Sequence, residues 1–171
     1  MTTEPTTSSD KLARAGAKAI EGYFAARGAT PMTAGDGRYT IYIPGGDGTA
    51  DLQLALASTP AARGILARLK ARRIVEQINW PRASLTINQW NRSSPLPHVV
   101  LAARGEGESA VGFLLVEGFL PPPTNPDPDQ VNRFIETVVA GARQFWSSPA
   151  VRDMTRPLQA TGAARTAAAQ Q

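Results

Sequence analysis

The chain has 171 residues, of which 42% are hydrophobic and 19% are charged, a composition that suits one globular domain with a sizeable core. It contains no cysteine, which excludes disulfides and thiolate chemistry, and no run of roughly 18 apolar residues that would predict a membrane-spanning helix. The formal net charge of +4 bears on solubility and nonspecific attraction rather than on fold.

The N-terminal segment predicts a disordered end followed by a helix. Residues 1–9 are rich in Thr and Ser and lack the basic start and apolar run of a signal peptide, so we predict a disordered segment and a cytoplasmic protein. A helix is predicted from Asp10 to about Arg27, with Ser9 or Asp10 as its N-cap and Gly28 as the left-handed residue after its end. Its larger apolar residues share one stripe and therefore need a partner surface: Leu12, Ile20, Tyr23 and Phe24.

A β-hairpin is predicted over residues 39–56. Side chains alternate with a period of two through YTIYI (39–43) and DLQLAL (51–56), as they do in half-buried strands. The glycine-rich segment 45–48 between them is a strong turn signal. It does not fit a phosphate-binding loop, because it lacks the Lys-Ser/Thr ending and leads into a strand rather than a helix.

Residues 63–75 fit two interpretations. In the first, Thr59 and Pro60 begin a helix rich in Ala and Arg. In the second, the segment is a strand that turns Ala67, Leu69 and Ala71 to one side and Arg68, Lys70 and Arg72 to the other. The spacing alone leaves both open, and we favour the strand partly because of the family resemblance described below.

One helix and two strands are predicted in the following segment. The helix runs from about Trp80 to Asn91, with Pro81 in its first turn. The strands are His98 to Arg104 and Val111 to Leu120, joined by the polar turn GEGES. Both strands are almost continuously apolar, which is typical of strands covered by helices.

The last helix is predicted from its cap. Asp127 fits the N-cap, Pro128 the first helical position and Gln130 the partner of a capping box. One face of this helix is apolar: Val131, Phe134, Ile135, Val138, Ala142 and Phe145. After Ser147 the apolar pattern ends, and residues 148–171 are predicted to form a flexible tail.

The resulting element order is α-β-β-β-α-β-β-α within a single domain over residues 10–147. Two groups of consecutive strands, each preceded by a helix, predict the α+β class. In this arrangement one antiparallel sheet carries its helices packed on one side.

The run INQWNR (87–92) followed by PHVVL (97–101) resembles the helix–strand signature of the YbjN-domain family. In that family a helix ending in the phrase vNxWN enters a strand through a short polar link that contains proline. Glu117 on the last strand and the helix end at Phe145 and Trp146 are similar to that family as well. The resemblance implies the fold of type III secretion chaperones, with the element order given above. It also implies a bacterial, cytoplasmic, non-enzymatic protein of the kind described as sensory-transduction regulators.

Candidate catalytic groups are few. His98 is the sole histidine, and its place at a strand start suits a hydrogen-bonded structural role better than a catalytic one, since a triad requires a specific geometry. Glu106 and Glu108 share a polar turn, while Asp127 and Asp129 lie where a helix N-terminus favours negative charge. We therefore predict no catalytic, cofactor-binding or metal-binding residues.

Three large aromatic residues are the candidates for a protein interface. Tryptophan is enriched in interfaces as well as in cores. We assign Trp146, Phe145 and Trp80 as interface candidates and Trp90 to the core. The sequence thus predicts a non-enzymatic domain that binds protein partners, either chaperone-like or as a regulatory adaptor, with a homodimer as one form of such binding.

A second interpretation is a nucleic-acid-associated regulator. On the strand reading, Arg68, Lys70 and Arg72 form a basic face that could meet phosphates. Such a run is more often a solvated face. Few aromatic residues accompany it in sequence, so a surface for base stacking is not predicted.

Overall fold

The computed structural model describes residues 7–45, 50–59, 64–121 and 127–158. Strands and helices follow one another along these residues in an α+β arrangement. In chain order the elements are α1 (Ser8–Ala25), β1 (Met32–Thr33), β2 (Arg38–Ile43), β3 (Leu52–Thr59), β4 (Gly64–Ala71), β5 (Arg73–Glu76), α2 (Trp80–Ser93), β6 (His98–Arg104), β7 (Val111–Leu120), α3 (Pro128–Ser147), α4 (Pro149–Met154) and β8 (Arg156–Pro157).

All of the strand pairs are antiparallel, in the order β1-β2-β3-β4-β7-β5-β8, and β6 pairs with the other edge of β7. The predicted hairpin is confirmed, because β2 and β3 pair with Tyr39 opposite Leu56. The glycine turn predicted between them falls partly at 46–48, outside the described residues. β5 continues the line of β4 after Arg72, so β7 pairs with both along one edge.

Three helices cover one face of the sheet and bury the core against it. α1 packs on β3 and β4, α3 on β4 and β7, and α2 on β6. The inward residues of β3 illustrate the pattern, since Leu52, Leu54 and Leu56 are at most 2% exposed. Burial of each such side chain contributes about 1.5–3 kcal/mol. The predicted fold class, with helices on one side of an antiparallel sheet, is confirmed.

Residues 64–71 form a strand, so the strand interpretation is correct and the helix interpretation is wrong. β4 lies between β3 and β7, with Ala55 and Glu117 on either side of Arg68. Its inward residues Ile65 and Leu69 are buried. A helix here would leave two neighbouring strands without a hydrogen-bonding partner.

The first helix begins earlier than predicted. Thr7 is the N-cap: its hydroxyl accepts from the backbone N–H of Asp10, at 3.2 Å, while the Asp10 carboxylate accepts from the Thr7 N–H, at 3.0 Å. The assignment of Ser9 or Asp10 as N-cap is therefore wrong, because Asp10 is the third residue of a reciprocal capping box. The Thr7 hydroxyl, at 2.7 Å, and the Thr7 N–H both donate to the Asp10 carboxylate and so lower the pKa of Asp10. Gly28 has the predicted positive φ, 60°.

Asp127 caps α3 as predicted, but it accepts from the N–H of Asp129, at 3.1 Å, instead of forming a box with Gln130. The predicted flexible tail is wrong for residues 148–158. Ser148 caps α4, which buries Val151 and Met154. This helix has only six residues, too few for a helical period to be visible in the sequence. Residues 159–171 lie outside the described part of the chain.

A second anchor holds the segment after α4. The Arg73 guanidinium donates to the hydroxyl of Thr155, at 2.8 Å, and to its carbonyl, at 2.7 Å. Arg156 forms an ion pair with Glu76, and β8 pairs with β5 beside it. The C-terminal boundary of the folded domain is therefore at least at residue 158 rather than 147.

The open face of the sheet as a candidate interaction surface

Two of the aromatic residues predicted for an interface lie in the core. Phe145 is 1% exposed and Trp146 is 2% exposed. The Phe145 ring makes edge contacts with Trp90, at 5.3 Å, and with Trp146, at 5.8 Å between centroids. The prediction of a surface role for Phe145 and Trp146 is therefore wrong, since the end of α3 is covered on its apolar side by α2 and α4.

Trp80 is half-buried and makes a structural contact. Its indole N–H donates to the carbonyl of Val75, at 3.3 Å. A Cβ added at Gly112 would lie 3.0 Å from the same indole nitrogen, so the ring lies directly over the β7 backbone. This position connects α2 to the sheet and uses the polar atom of Trp80 internally.

Trp90 and Asn91, which belong to the signature of the family resemblance, connect α2 to β6 through hydrogen bonds. The Trp90 indole N–H donates to the carbonyl of Pro97, at 3.0 Å, beside a cis peptide bond between Leu96 and Pro97. The Asn91 side chain accepts from the N–H of Val99, at 2.8 Å, and donates to its carbonyl, at 2.9 Å. The Asn91 side chain thereby takes the place of a neighbouring strand on the edge of β6 that, in the described part of the chain, pairs with no strand. These residues are scaffold.

His98 shows no catalytic surroundings. It is exposed at the start of β6, opposite Glu117 across the strand pair. It does not line the clefts beside Arg72, Ser58 and Tyr23, and among the described residues no group of three His, Asp or Glu side chains is placed to hold a metal ion. His98 therefore belongs to the sheet surface described next.

We call the outward side chains of β2, β3, β4, β6 and β7 the open face of the sheet. Strand register arranges them in cross-strand rows, because directly paired residues point to the same side. The central row is Thr40, Ala55, Arg68, Glu117 and His98. The rows beside it are Arg38, Ala57, Leu66 and Phe119, and Tyr42, Gln53, Lys70, Leu115 and Val100. In the described part of the chain, the helices pack on the opposite face.

The centre of the open face holds an ion pair. Arg68 on β4 contacts Glu117 on β7. Two residues of the predicted basic face, Arg68 and Lys70, point to the same side of the sheet. The charge of that face is smaller than predicted, because Glu117 neutralises Arg68. Arg72 lies in the break between β4 and β5 and lines a shallow cleft with Tyr42 and Gln53.

Large apolar side chains surround this ion pair. Phe119 is 47% exposed, Val100 39% and Tyr42 57%, and Leu66, Phe113 and Leu115 are half-buried. The Phe119 ring lies across Gly64, where an added Cβ would come within 2.8 Å of the ring. The continuous apolar pattern of β6 and β7 predicted cover by helices, but helices cover only one side. The outward half of that pattern was the signal for an interaction surface.

Three cations of the open face are unpaired in the described part of the chain, one on β2, one on the central strand β4 and one on β6. Arg38, Lys70 and Arg104 are exposed, and none of the ion pairs among the described residues uses them. With Arg68 and Glu117 included, the face carries four cationic side chains and one carboxylate, a net charge of +3. The whole chain has +4, so most of its charge excess lies on this surface.

Two further clefts border α1. One, of about 520 Å³, lies between α1 and the β2–β3 end and mixes Asp10 and Arg38 with Ser58. The Ser58 hydroxyl donates to the Ala13 carbonyl, at 3.0 Å, so the geometry does not pair it with a catalytic base. The other, of about 280 Å³, lies beside Tyr23 and mixes apolar with charged side chains.

Burial makes Tyr39 an unusually weak acid. Burial raises its pKa to about 12, and a hydrogen bond from its hydroxyl to Glu21, at 2.7 Å, acts in the same direction. Burial likewise raises the pKa of Tyr23. Both phenols therefore remain protonated at neutral pH, and the Tyr39 hydroxyl acts as a structural donor to Glu21.

Comparison with known proteins supports the architecture. No protein-family model matches the chain, and no curated protein is significantly similar to it in sequence. None of the described helices is long and apolar enough to cross a membrane. Among solved structures, the chain is similar to the crystal structure of "YbjN, a putative transcription regulator from E. coli", with a TM-score of 0.61 and 14% identity over 82% of this chain and 95% of that one. The predicted resemblance to YbjN is thus confirmed at the level of the fold.

Proposed function

We propose that this chain is a non-enzymatic domain that binds protein partners through the open face of its sheet, as a chaperone-like or regulatory adaptor in the cytoplasm. One observation carries the proposal: the outward residues of β4, β6 and β7 present Leu66, Val100, Leu115 and Phe119 on a side of the sheet that none of the described helices covers. Contiguous apolar patches on an exposed surface are typical of interaction sites.

The energetics favour a partner over permanent exposure. Complete burial of a fully exposed Phe side chain contributes about 1.5–3 kcal/mol. Phe119 is 47% exposed, so covering it on association contributes roughly half of that. The Arg68–Glu117 ion pair at the centre reduces the cost of covering the surface, because neither charge would be buried without a partner.

The proposal is tested with a matched pair of substitutions. Phe119→Ser removes an apolar group from the open face, whereas Leu85→Ser makes the same kind of change on α2, where Leu85 is 66% exposed. We expect proteins captured from a bacterial lysate by the wild-type chain to be retained by Leu85→Ser and lost with Phe119→Ser. Thermal unfolding of both variants controls for folding. Equal capture by all three chains would contradict the proposal.

A nucleic-acid-associated regulator is a second candidate. The observation that favours it is the presence of Phe113, Phe119 and Tyr42 on the same face as Lys70, a combination that the sequence order conceals. Its test is binding of a fluorescent single-stranded oligonucleotide across a salt series. Phosphate contacts would give a steep fall of affinity with salt, and a flat response would exclude this candidate.

A further inference from the structure

We propose that the partner is an acidic protein surface, in which carboxylates interspersed with apolar side chains meet Arg38, Lys70 and Arg104. This inference rests on the proposed function and adds the chemistry of the partner. The apolar side chains of the open face would be matched by apolar side chains of the partner. The three unpaired cations would select for its charge.

The distribution of charge supports an acidic partner. Arg38 lies on β2, Lys70 on β4 and Arg104 on β6, so the unpaired cations are spread across the open face from β2 to β6. Neighbouring strands are about 4.8 Å apart, and β2 and β6 are separated by β3, β4 and β7. These two strands are therefore roughly 19 Å apart, a distance that suits a protein interface and exceeds what a small anion could bridge.

A second copy of this chain fits the open face less well. Two open faces packed against each other would bring net charges of +3 and +3 together across a surface of low dielectric. Among the outward side chains of β2, β3, β4, β6 and β7, the single carboxylate is Glu117, which Arg68 already engages, so it cannot also neutralise the unpaired cations of a second copy. Like charges facing each other across an interface cost several kcal/mol in total.

Nucleic acid also fits less well. Phe113 and Phe119 are six residues apart on β7, which places them roughly 20 Å from each other at about 3.3 Å per residue. Leu115 and Glu117 occupy the outward positions between them. Bases stacked on the two rings would not be adjacent, and the Glu117 carboxylate between them would repel phosphate. The aromatic residues therefore do not form a continuous stacking surface.

The composition of the chain provides a direct test. Its three lysines are Lys11, Lys18 and Lys70, of which Lys70 alone lies on the open face while the other two are exposed on α1. A carbodiimide joins a lysine amine to a carboxylate that touches it, as an amide. We expect carbodiimide treatment of the full chain in native-host lysate to couple Lys70 to Asp or Glu of another protein, with at least fivefold less coupling at Lys11 and Lys18.

Two variants separate charge from reactivity. Lys70→Arg keeps the positive charge and cannot couple, so the cross-link should disappear while capture of the partner persists. Lys70→Glu reverses the charge and should reduce capture roughly five- to tenfold at low salt, in line with the loss of an exposed ion pair and its replacement by repulsion. Lys11→Glu makes the same change in net charge on α1 and should leave capture unchanged.

The outcomes distinguish this inference from the proposed function. Coupling of Lys70 by an amine-to-amine reagent but not by carbodiimide would overturn the acidic partner while leaving a protein-binding face. Cross-links between isotopically light and heavy copies of this chain would replace the partner with a second copy, and loss of capture on nuclease treatment would replace it with nucleic acid. If Lys70 couples by neither reagent and Phe119→Ser has no effect, the proposed function fails as well.

Discussion

Removal of the Asn91 side chain is expected to break the hydrogen bonds that hold β6 against α2. The Asn91 amide satisfies both the N–H and the carbonyl of Val99, at 2.8 and 2.9 Å, in a partly buried position. A hydrogen bond contributes about 0.5–1.5 kcal/mol net, and a buried group left without a partner costs about 1–3 kcal/mol. Asn91→Ala breaks two such bonds at once, so we expect the free energy of unfolding to fall by roughly 2–4 kcal/mol.

The matched control for this change lies in the same helix. Asn88 is exposed on α2, and Asn88→Ala makes the identical chemical change without breaking a tertiary hydrogen bond. We expect it to alter the free energy of unfolding by less than about 0.5 kcal/mol. Urea denaturation followed by circular dichroism measures both variants. In a domain of this size, 2–4 kcal/mol corresponds to a decrease in Tm of roughly 5–15 °C.

The comparison of these two variants can refute the structural role of the signature. If the free energies of unfolding of Asn91→Ala and Asn88→Ala differ by less than about 0.5 kcal/mol, the hydrogen bonds to Val99 do not stabilise the fold, and Asn91 needs another explanation. If the loss is large and capture of the partner by the surviving folded protein is unchanged, Asn91 is scaffold as inferred here. Capture is measured well below the Tm of the variant.

Two further predictions concern α1 and the sheet beneath it. Gly16→Ala should destabilise the fold by more than about 1 kcal/mol, because the added Cβ would lie 2.1 Å from the Ser58 hydroxyl oxygen. Gly22→Ala, where an added Cβ meets nothing within 4 Å, should stabilise the fold by up to about 1 kcal/mol. Thermal unfolding compares the two variants. Tyr39, with a folded pKa of about 12, keeps its proton at a pH where the unfolded phenol has lost it, so stability should fall as pH rises from about 10 to 12. Tyr39→Phe should reduce that fall, and a slope equal to wild type would contradict the assignment.

The sequence was sufficient for the elements whose signals are local. The turn-flanked alternation of β2 and β3 and the Asp127–Pro128 start of α3 are properties of neighbouring residues, and the structure confirms them. The α4–β8 segment was missed for the opposite reason. Its order depends on Arg73, which lies 82 residues from Thr155 in the chain, and on a helix too short to show a period.

The error at Phe145 and Trp146 has a similar cause. α3 has 20 residues and ends in two aromatic residues. Because no secondary structure was predicted after it, its last turn was expected to be exposed. α4 supplies that missing cover, with Val151 packed at 0% exposure. The interface was therefore predicted on α3, because the α4 segment that covers Phe145 and Trp146 was assigned to the flexible tail.

The open face could not be predicted because it is produced by register. Arg68 and Glu117 are 49 residues apart, and only the pairing of β4 with β7 brings them together. In the sequence the basic run is uniform. The pairing of β4 with β7 neutralises Arg68 with Glu117 and leaves the other cations of the open face unpaired. It also places Phe119 beside Leu66, which are 53 residues apart in sequence. The Trp90 and Asn91 contacts that reveal the fold leave this surface untouched, so chains that share the fold are free to differ in what they bind.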